Sequence, residues 1–184
     1  MRDDRTQAGR TKLSAAVEAA SGFVDAMSMP RDQAAVVVFN EDAPVLQGLT
    51  GRRADVKQGL REIPHRVREL TRIDLGIEAG HIELVGANRN PMNRPVMIVL
   101  TDGLSNPVPA STAVRKAQDA QRDGITIFTI GLGKDDELNV PELREIASKP
   151  EYFYRAPDGE DLLAIYREIA AEIPCPKEAF WGRR

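Results

Sequence analysis

The sequence predicts an α/β fold: a doubly wound, mainly parallel sheet with helices on both faces. Three observations lead there. Ala34–Phe39 and Val96–Leu100 are continuous apolar runs without alternation, as in strands buried on both faces, and Ile125–Ile130 reads as a further buried strand. Between them lie stretches whose apolar residues recur at helical spacing. Strand and helix patterns alternate, which calls for crossover connections and parallel pairing.

Residues 1–10 read as a polar lead, 11–173 as the domain and 174–184 as a tail. Thr11 is placed to cap a helix whose stripe is Leu13, Ala16, Val17, Ala20, Phe23, Val24 and Met27, with Pro30 beyond its end. After the Ala34–Phe39 strand, Asn40-Glu41-Asp42 makes a tight turn. Ala43–Leu49 then returns antiparallel, because so short a link cannot hold a crossover. Asp55–Ile63 is helical until Pro64. Thr71-Arg72-Ile73-Asp74 has the form of a capping box and opens a helix to about Leu84. Ala87–Arg94 is a loop.

The central stretch runs from Pro95 to Asn106. Its strand stops at Thr101-Asp102-Gly103, and a stiff Asn106-Pro107-Val108-Pro109 loop follows. Ser111 or Thr112 caps a helix with Ala113, Ala117 and Ala120 on one face, and Gly124 is its left-handed terminator. Ile125–Ile130 is the next strand. Asn139, with Glu142 three residues on, caps a short helix carrying Leu143 and Ile146. Tyr152–Arg155 is the last strand. Asp158 caps a final helix with Leu162, Ile165, Tyr166, Ile169 and Ile173 in register.

Composition narrows the function classes. The apolar fraction of 42% and charged fraction of 29% are those of an ordinary globular domain. A net charge of −3 gives no reason to expect nucleic acid or a membrane surface as partner. The single cysteine, Cys175, rules out an internal disulfide framework. No stretch has the length and apolarity of a membrane span, and the polar N-terminus is not a signal peptide. Either the chain works in the cytosol or a targeting segment lies outside it, which would place the parent protein in the cell envelope or outside the cell.

Known catalytic patterns fail one by one. No Gly-x4-Gly-Lys-Ser/Thr loop is present, and Gly131-Leu-Gly133 lacks the third glycine of a dinucleotide loop. Gly103-Leu-Ser105-Asn-Pro107 ends in proline where a nucleophile elbow has glycine. His65 and His81 have no ligand partners at zinc spacing. We therefore expect no enzyme. Oxygen chemistry remains. Asp102 ends a buried strand, where open α/β sheets bind ligands. Thr71, Ser105, Asn106 and Asn40 offer oxygens for the same edge. Carboxylate and hydroxyl together suit Mg²⁺ or Mn²⁺, although two such ligands alone would not hold it. The plainer alternative is that Asp102 only terminates the strand or caps a turn.

This order of parts resembles a von Willebrand factor A domain of the bacterial branch, from about Thr11 to Ile173. The stretches that carry the likeness are Lys12-Leu-Ser-Ala-Ala, Val37-Val-Phe-Asn40, Thr71-Arg-Ile-Asp-Leu-Gly-Ile and Val96-Met-Ile-Val-Leu-Thr-Asp-Gly103. Ile125-Thr-Ile-Phe-Thr-Ile-Gly-Leu-Gly133, Leu143-Arg-Glu-Ile-Ala147 and Tyr152-Phe-Tyr complete the set. The resemblance implies a metal-ion-dependent adhesion site. Its parts are an Asp-x-Ser-x-Ser loop, a Thr matched by Thr71 and an Asp matched by Asp102. An acidic group of a partner protein, an exposed Asp or Glu, completes the metal's coordination. Ser105, Asn106 and Asn40 would form the rim.

Two departures stand out. The Asp-x-Ser-x-Ser loop and the first, central strand before it are absent, and Asp3 and Asp4 have no serines at the right spacing. Glu69-Leu70 stand where small glycines often precede the Thr. Without its middle strand the sheet must either pair its neighbours directly or leave a gap. The expectation is a longer parent chain with strand and loop encoded upstream, and weak or absent metal binding in these residues alone. The function expected is an adhesion-type interaction module. The alternative is a metal-independent structural or interaction domain, or a partner-binding subunit of a larger assembly.

Overall fold

A computed structural model describes residues 11–66, 68, 70–134 and 137–173. Expectations about the lead, Asp3, Asp4, Glu69, Cys175 and the Phe180-Trp181 tail lie outside these residues.

The chain opens with α1 (Lys12–Ala26), capped as expected: Thr11 Oγ1 accepts from the Ser14 amide at 3.1 Å. The strands β1 (Ala34–Val37) and β2 (Val45–Thr50) pair antiparallel, with irregular register between Ala34 and Val37. Next come α2 (Arg53–Glu62), a 3-10 turn over Ile63–His65 that contains Pro64, and α3 (Ile73–Val85). Then β3 (Val96–Thr101), α4 (Ala110–Arg122), β4 (Thr126–Leu132), α5 (Val140–Ile146), β5 (Phe153–Ala156) and α6 (Leu162–Glu172) follow. The strands β3, β4 and β5 form a parallel sheet in that order, with Val96 opposite Thr126 and Thr129 opposite Phe153.

Helices cover both faces, as the apolar runs require. On one side Ile73, Ile77, Ala113, Ala117 and Ile146 pack with Met97, Val99 and Ile127. On the other, Ala16, Ala19, Leu162 and Ile169 pack with Phe128, Ile130 and Leu132. Gly124 has φ +83°, a backbone conformation that glycine adopts without strain.

Three caps differ from expectation. The N-cap of α3 is Arg72, not Thr71, because Asp74 is bonded to the Arg72 guanidinium and does not reach back to the cap. Helix α4 starts behind Pro109, which supplies a preset extended residue, so Ser111 and Thr112 fall in its first turn. Helix α6 is preceded by Asp161, while Asp158 closes a local turn by accepting from the Glu160 amide at 2.7 Å.

The main finding is a divided sheet. Among the described residues β1 pairs only with β2, and β3 only with β4. Of the two outcomes expected, direct pairing or a gap, the described residues show the gap. Two helices hold it open. Helix α1 gives Ala15, Ala16 and Ala19 to the core of the parallel sheet and Val24 to a smaller core with Val36, Val56 and Leu60. Helix α3 lies close to both halves: a Cβ on Gly76 would sit 2.6 Å from the Phe39 ring, and one on Gly80 would sit 3.1 Å from Met97. Between the halves is a cavity of about 670 Å³, lined by β1, β3, α1 and α3.

The Gly76 contact makes a test. Gly76→Ala raises helix propensity by up to about 1 kcal/mol. It also forces a methyl into the base of the Phe39 ring, and such overpacking costs roughly 1–3 kcal/mol. We expect a net loss of about 1–2 kcal/mol by urea unfolding; an unchanged or raised stability would show that α3 is not wedged against Phe39.

Candidate functional site

The site forms at the carboxyl edge of the parallel sheet, where β3 runs out of ladder partners. Thr101 is buried, and its hydroxyl meets both the amide and the carbonyl of Gly103 at 3.3 Å. This folds the chain sharply after the strand and leaves Asp102 half-buried at the bend.

The loop then meets the segment before α3. Asn106 donates its amide to the Thr71 carbonyl at 3.1 Å, and Asn106 Oδ1 accepts from the Thr71 amide at 3.4 Å. The two residues form an isolated antiparallel bridge. It brings the Thr71 hydroxyl to 3.5 Å from where a Cβ on Gly103 would lie, so Thr71 Oγ1 stands over the residue next to Asp102. Thr71, far from Asp102 in sequence, therefore shares its edge. Asn106 belongs to that edge as well, its Nδ2 donating to the Leu104 carbonyl at 3.1 Å.

Ser105 and Asn40 are placed differently. Ser105 Oγ donates to Glu142 Oε1 in a short contact, tying the loop to α5. Glu142 is itself 3% exposed, and its Oε2 has no hydrogen-bond partner among the described residues. Asn40 is 3% exposed and lies beneath the loop, not on its surface. Its Nδ2 donates to the Arg66 carbonyl at 3.0 Å, its Oδ1 accepts from the Arg68 amide at 2.9 Å, and its carbonyl accepts from the Arg72 amide at 2.9 Å. Asn40 thus braces the segment that presents Thr71.

The brace continues into a buried ion pair that sequence reading assigned to a capping box. Arg72 Nε and its terminal nitrogen donate to the two oxygens of Asp74 at 2.9 and 2.8 Å. The Asp74 side chain is 4% exposed. This bidentate contact holds the Asp74 carboxyl below the usual carboxylate range, against the opposing effect of burial. The Arg-x-Asp spacing was visible in the sequence, but only the fold shows the aspartate turned inward. Glu142 is likewise visible only through the fold, which brings α5 against the loop.

The donor set at this edge is the Asp102 carboxylate and the Thr71 hydroxyl. Both are hard oxygens and match Mg²⁺ or Mn²⁺ in kind. Two oxygens are fewer than the roughly six such ions take, and the described residues hold no group of three or more His, Cys, Asp or Glu that could bind a metal.

The family description of the von Willebrand factor type A domain matches residues 4–168. A search of curated protein sequences gave no match. Similar solved structures include proximal thread matrix protein 1 from the mussel byssus, with TM-score 0.76 and 25% identity, covering 88% of this chain and 41% of that one. Another structure of that protein, described as having a zinc-occupied MIDAS motif, has TM-score 0.74 at 22% identity, covering 86% of this chain and 42% of that one. This chain therefore spans about two-fifths of those mussel chains. An aerotolerance-related membrane protein from Bacteroides fragilis has TM-score 0.72 and 22% identity, covering 91% of this chain and 90% of that one. The vWF domain of the type V pili tip protein Mfa5 from Porphyromonas gingivalis has TM-score 0.76 and 15% identity, with 88% of each chain covered. Identities this low speak for the fold alone.

The Arg72–Asp74 pair gives a pH prediction. Asp74 has a lowered folded pKa, so the pair contributes stability above the unfolded value of about 4 and loses it as pH falls through the folded value. Urea stability measured from about pH 5 down to pH 3 should fall less steeply in Asp74→Asn than in the parent. At neutral pH Arg72→Ala, which strands a buried carboxylate, should lose about 3 kcal/mol. Equal acid slopes would show that the pair is not linked to folding.

Proposed function

Because this chain belongs to the von Willebrand factor type A domain family, we propose that it is a protein–protein interaction module whose carboxyl edge takes an acidic group of a partner through a divalent cation. The observation that carries this reading is the Thr71–Asn106 bridge, which sets a hydroxyl over the bend that holds Asp102. In this reading Asp102 and Thr71 each give the cation an oxygen, and the partner's Asp or Glu gives another. Asn106 and Ser105 form the rim, and Asn40 holds the Thr71 segment from below. Leu70 and Leu104 are exposed next to Thr71 and Gly103, and would offer the partner apolar contact around its carboxylate.

The cation is Mg²⁺ or Mn²⁺ by ligand chemistry. With two protein oxygens where such ions take about six ligands, residues 11–173 alone would hold it weakly. The proposal is binding without turnover. No described helix is long and apolar enough to cross a membrane. The Bacteroides membrane protein and the Porphyromonas pilus-tip domain support a parent protein working at the cell envelope.

A second reading, a metal-independent interaction domain, is supported by the loop's own hydrogen bonds. Ser105 and Asn106 both have partners within the protein.

Calorimetric titration of Mn²⁺ separates the two. The metal reading expects a saturable heat that Asp102→Ala abolishes, with a dissociation constant weaker than about 10 µM because the ligand set is short. No heat in the parent, together with partner capture that survives chelation of divalent ions, would favour the metal-independent reading and overturn the first.

A further inference from the structure

Glu142 stands in the first turn of α5 and is 3% exposed. One of its oxygens accepts from Ser105 Oγ, in the loop that follows Asp102. The other, Oε2, is buried with no hydrogen-bond partner among the described residues. No ion pair of those residues includes Glu142 either. A glutamate at this place in a helix ordinarily turns back to the amide of the cap residue. Here Asn139 caps α5 alone, its Oδ1 accepting from the Glu142 amide at 3.3 Å, and the Glu142 side chain goes to the loop instead. Neither capping nor packing calls for a charge in this position.

The helix beneath the charge is fastened to the sheet. The Thr129 hydroxyl donates to the Leu143 carbonyl at 2.8 Å. Just past the end of α5, Ser148 Oγ accepts from the Ile127 amide at 2.8 Å. A Cβ on Gly131 would lie 2.8 Å from Leu138 and 3.2 Å from Leu143, so α5 rests directly on β4. Glu142 is thus held in place under the loop.

We infer that Glu142 is a positioning residue of the cation edge: a fixed negative charge beneath the Asp102 loop that holds Ser105 and draws a divalent cation toward Asp102 and Thr71. The inference rests on the cation reading of that edge. A charge acts on a divalent ion at a distance, without coordinating it, and buried charges are screened less than exposed ones. Stability argues in the opposite direction. A buried carboxylate with one bare oxygen is unfavourable, and a neutral residue of the same shape would fold more easily. Local rules broken at the expense of stability are expected at functional positions.

The test compares two variants in the 184-residue chain. Glu142→Gln keeps the shape and an acceptor for Ser105 but removes the charge. Glu142→Ala removes both. Glu145→Gln takes an exposed charge from the same helix and serves as the control. Two readouts are taken: urea stability without metal, and Mn²⁺ affinity from paramagnetic broadening of the Gly103 amide signal. Glu142→Gln should be at least as stable as the parent and bind Mn²⁺ at least about threefold more weakly. Glu142→Ala should lose stability as well as affinity, and Glu145→Gln should stay within about twofold of the parent's affinity. Lower stability in Glu142→Gln would overturn the inference without any metal, by showing that the carboxylate serves the fold. Equal Mn²⁺ affinity in Glu142→Gln and the parent would overturn it and leave the cation reading standing. An equal drop in Glu145→Gln would also overturn it, by making the effect one of net charge. No broadening in the parent would overturn the cation reading and this inference with it.

Discussion

The close seating of α1 and α3 across a divided sheet is the constraint on which the rest depends. Among the described residues neither half-sheet touches the other through its ladder. What joins them is small-residue packing: alanines on the inner side of α1, and glycines of α3 that admit Phe39 and Met97 without a Cβ between. That contact fixes where α3 begins. The start of α3 fixes Thr71, and Thr71 is what the Asp102 loop grips. A binding edge made of two loops far apart in sequence is only as fixed as the helices beneath them.

The edge itself is held by polar contacts more than by burial. The Asn40 side chain and backbone hold Arg66, Arg68 and Arg72 in place. The Arg72–Asp74 pair locks the first turn of α3, and Glu142 holds Ser105 from α5. Several of these groups are buried, so removing one partner strands another, which is the costly way to break a hydrogen bond. The arrangement sets the Thr71 hydroxyl over Gly103, the residue after Asp102.

Much of this was legible in the residues. The unbroken apolar runs at 34–39 and 96–100 marked buried strands and appear as β1 and β3, and the 125–130 stretch appears as β4. Thr71 and Asp102 were assigned to one edge from strand-end logic and family likeness, and the bridge of Thr71 to Asn106 brings the Thr71 segment against the loop that follows Asp102. Local chemistry misled at the caps. Thr71 through Asp74 has the letters of a capping box, but a guanidinium two residues away is a stronger partner for Asp74 than a backbone amide. Pro109 similarly displaced Ser111 and Thr112 as the start of α4. Asn40 read as rim because it follows a strand, whereas its burial depends on the path of residues 66–72, which no local pattern encodes. The gap could be posed from the sequence but not decided, since it depends on whether two helices can stand apart.

The central claim is that Thr71 and the Asp102 loop make one cation-binding edge. It is tested most directly by following backbone amide signals by nuclear magnetic resonance as Mn²⁺ is added, because the paramagnetic ion broadens only what lies near it. The account predicts that Thr71, Gly103 and Asn106 broaden first and together, at metal levels that leave the surface pairs at Asp25 and Asp119 sharp. Broadening that begins at such exposed carboxylates, or that reaches Gly103 without Thr71, would contradict it.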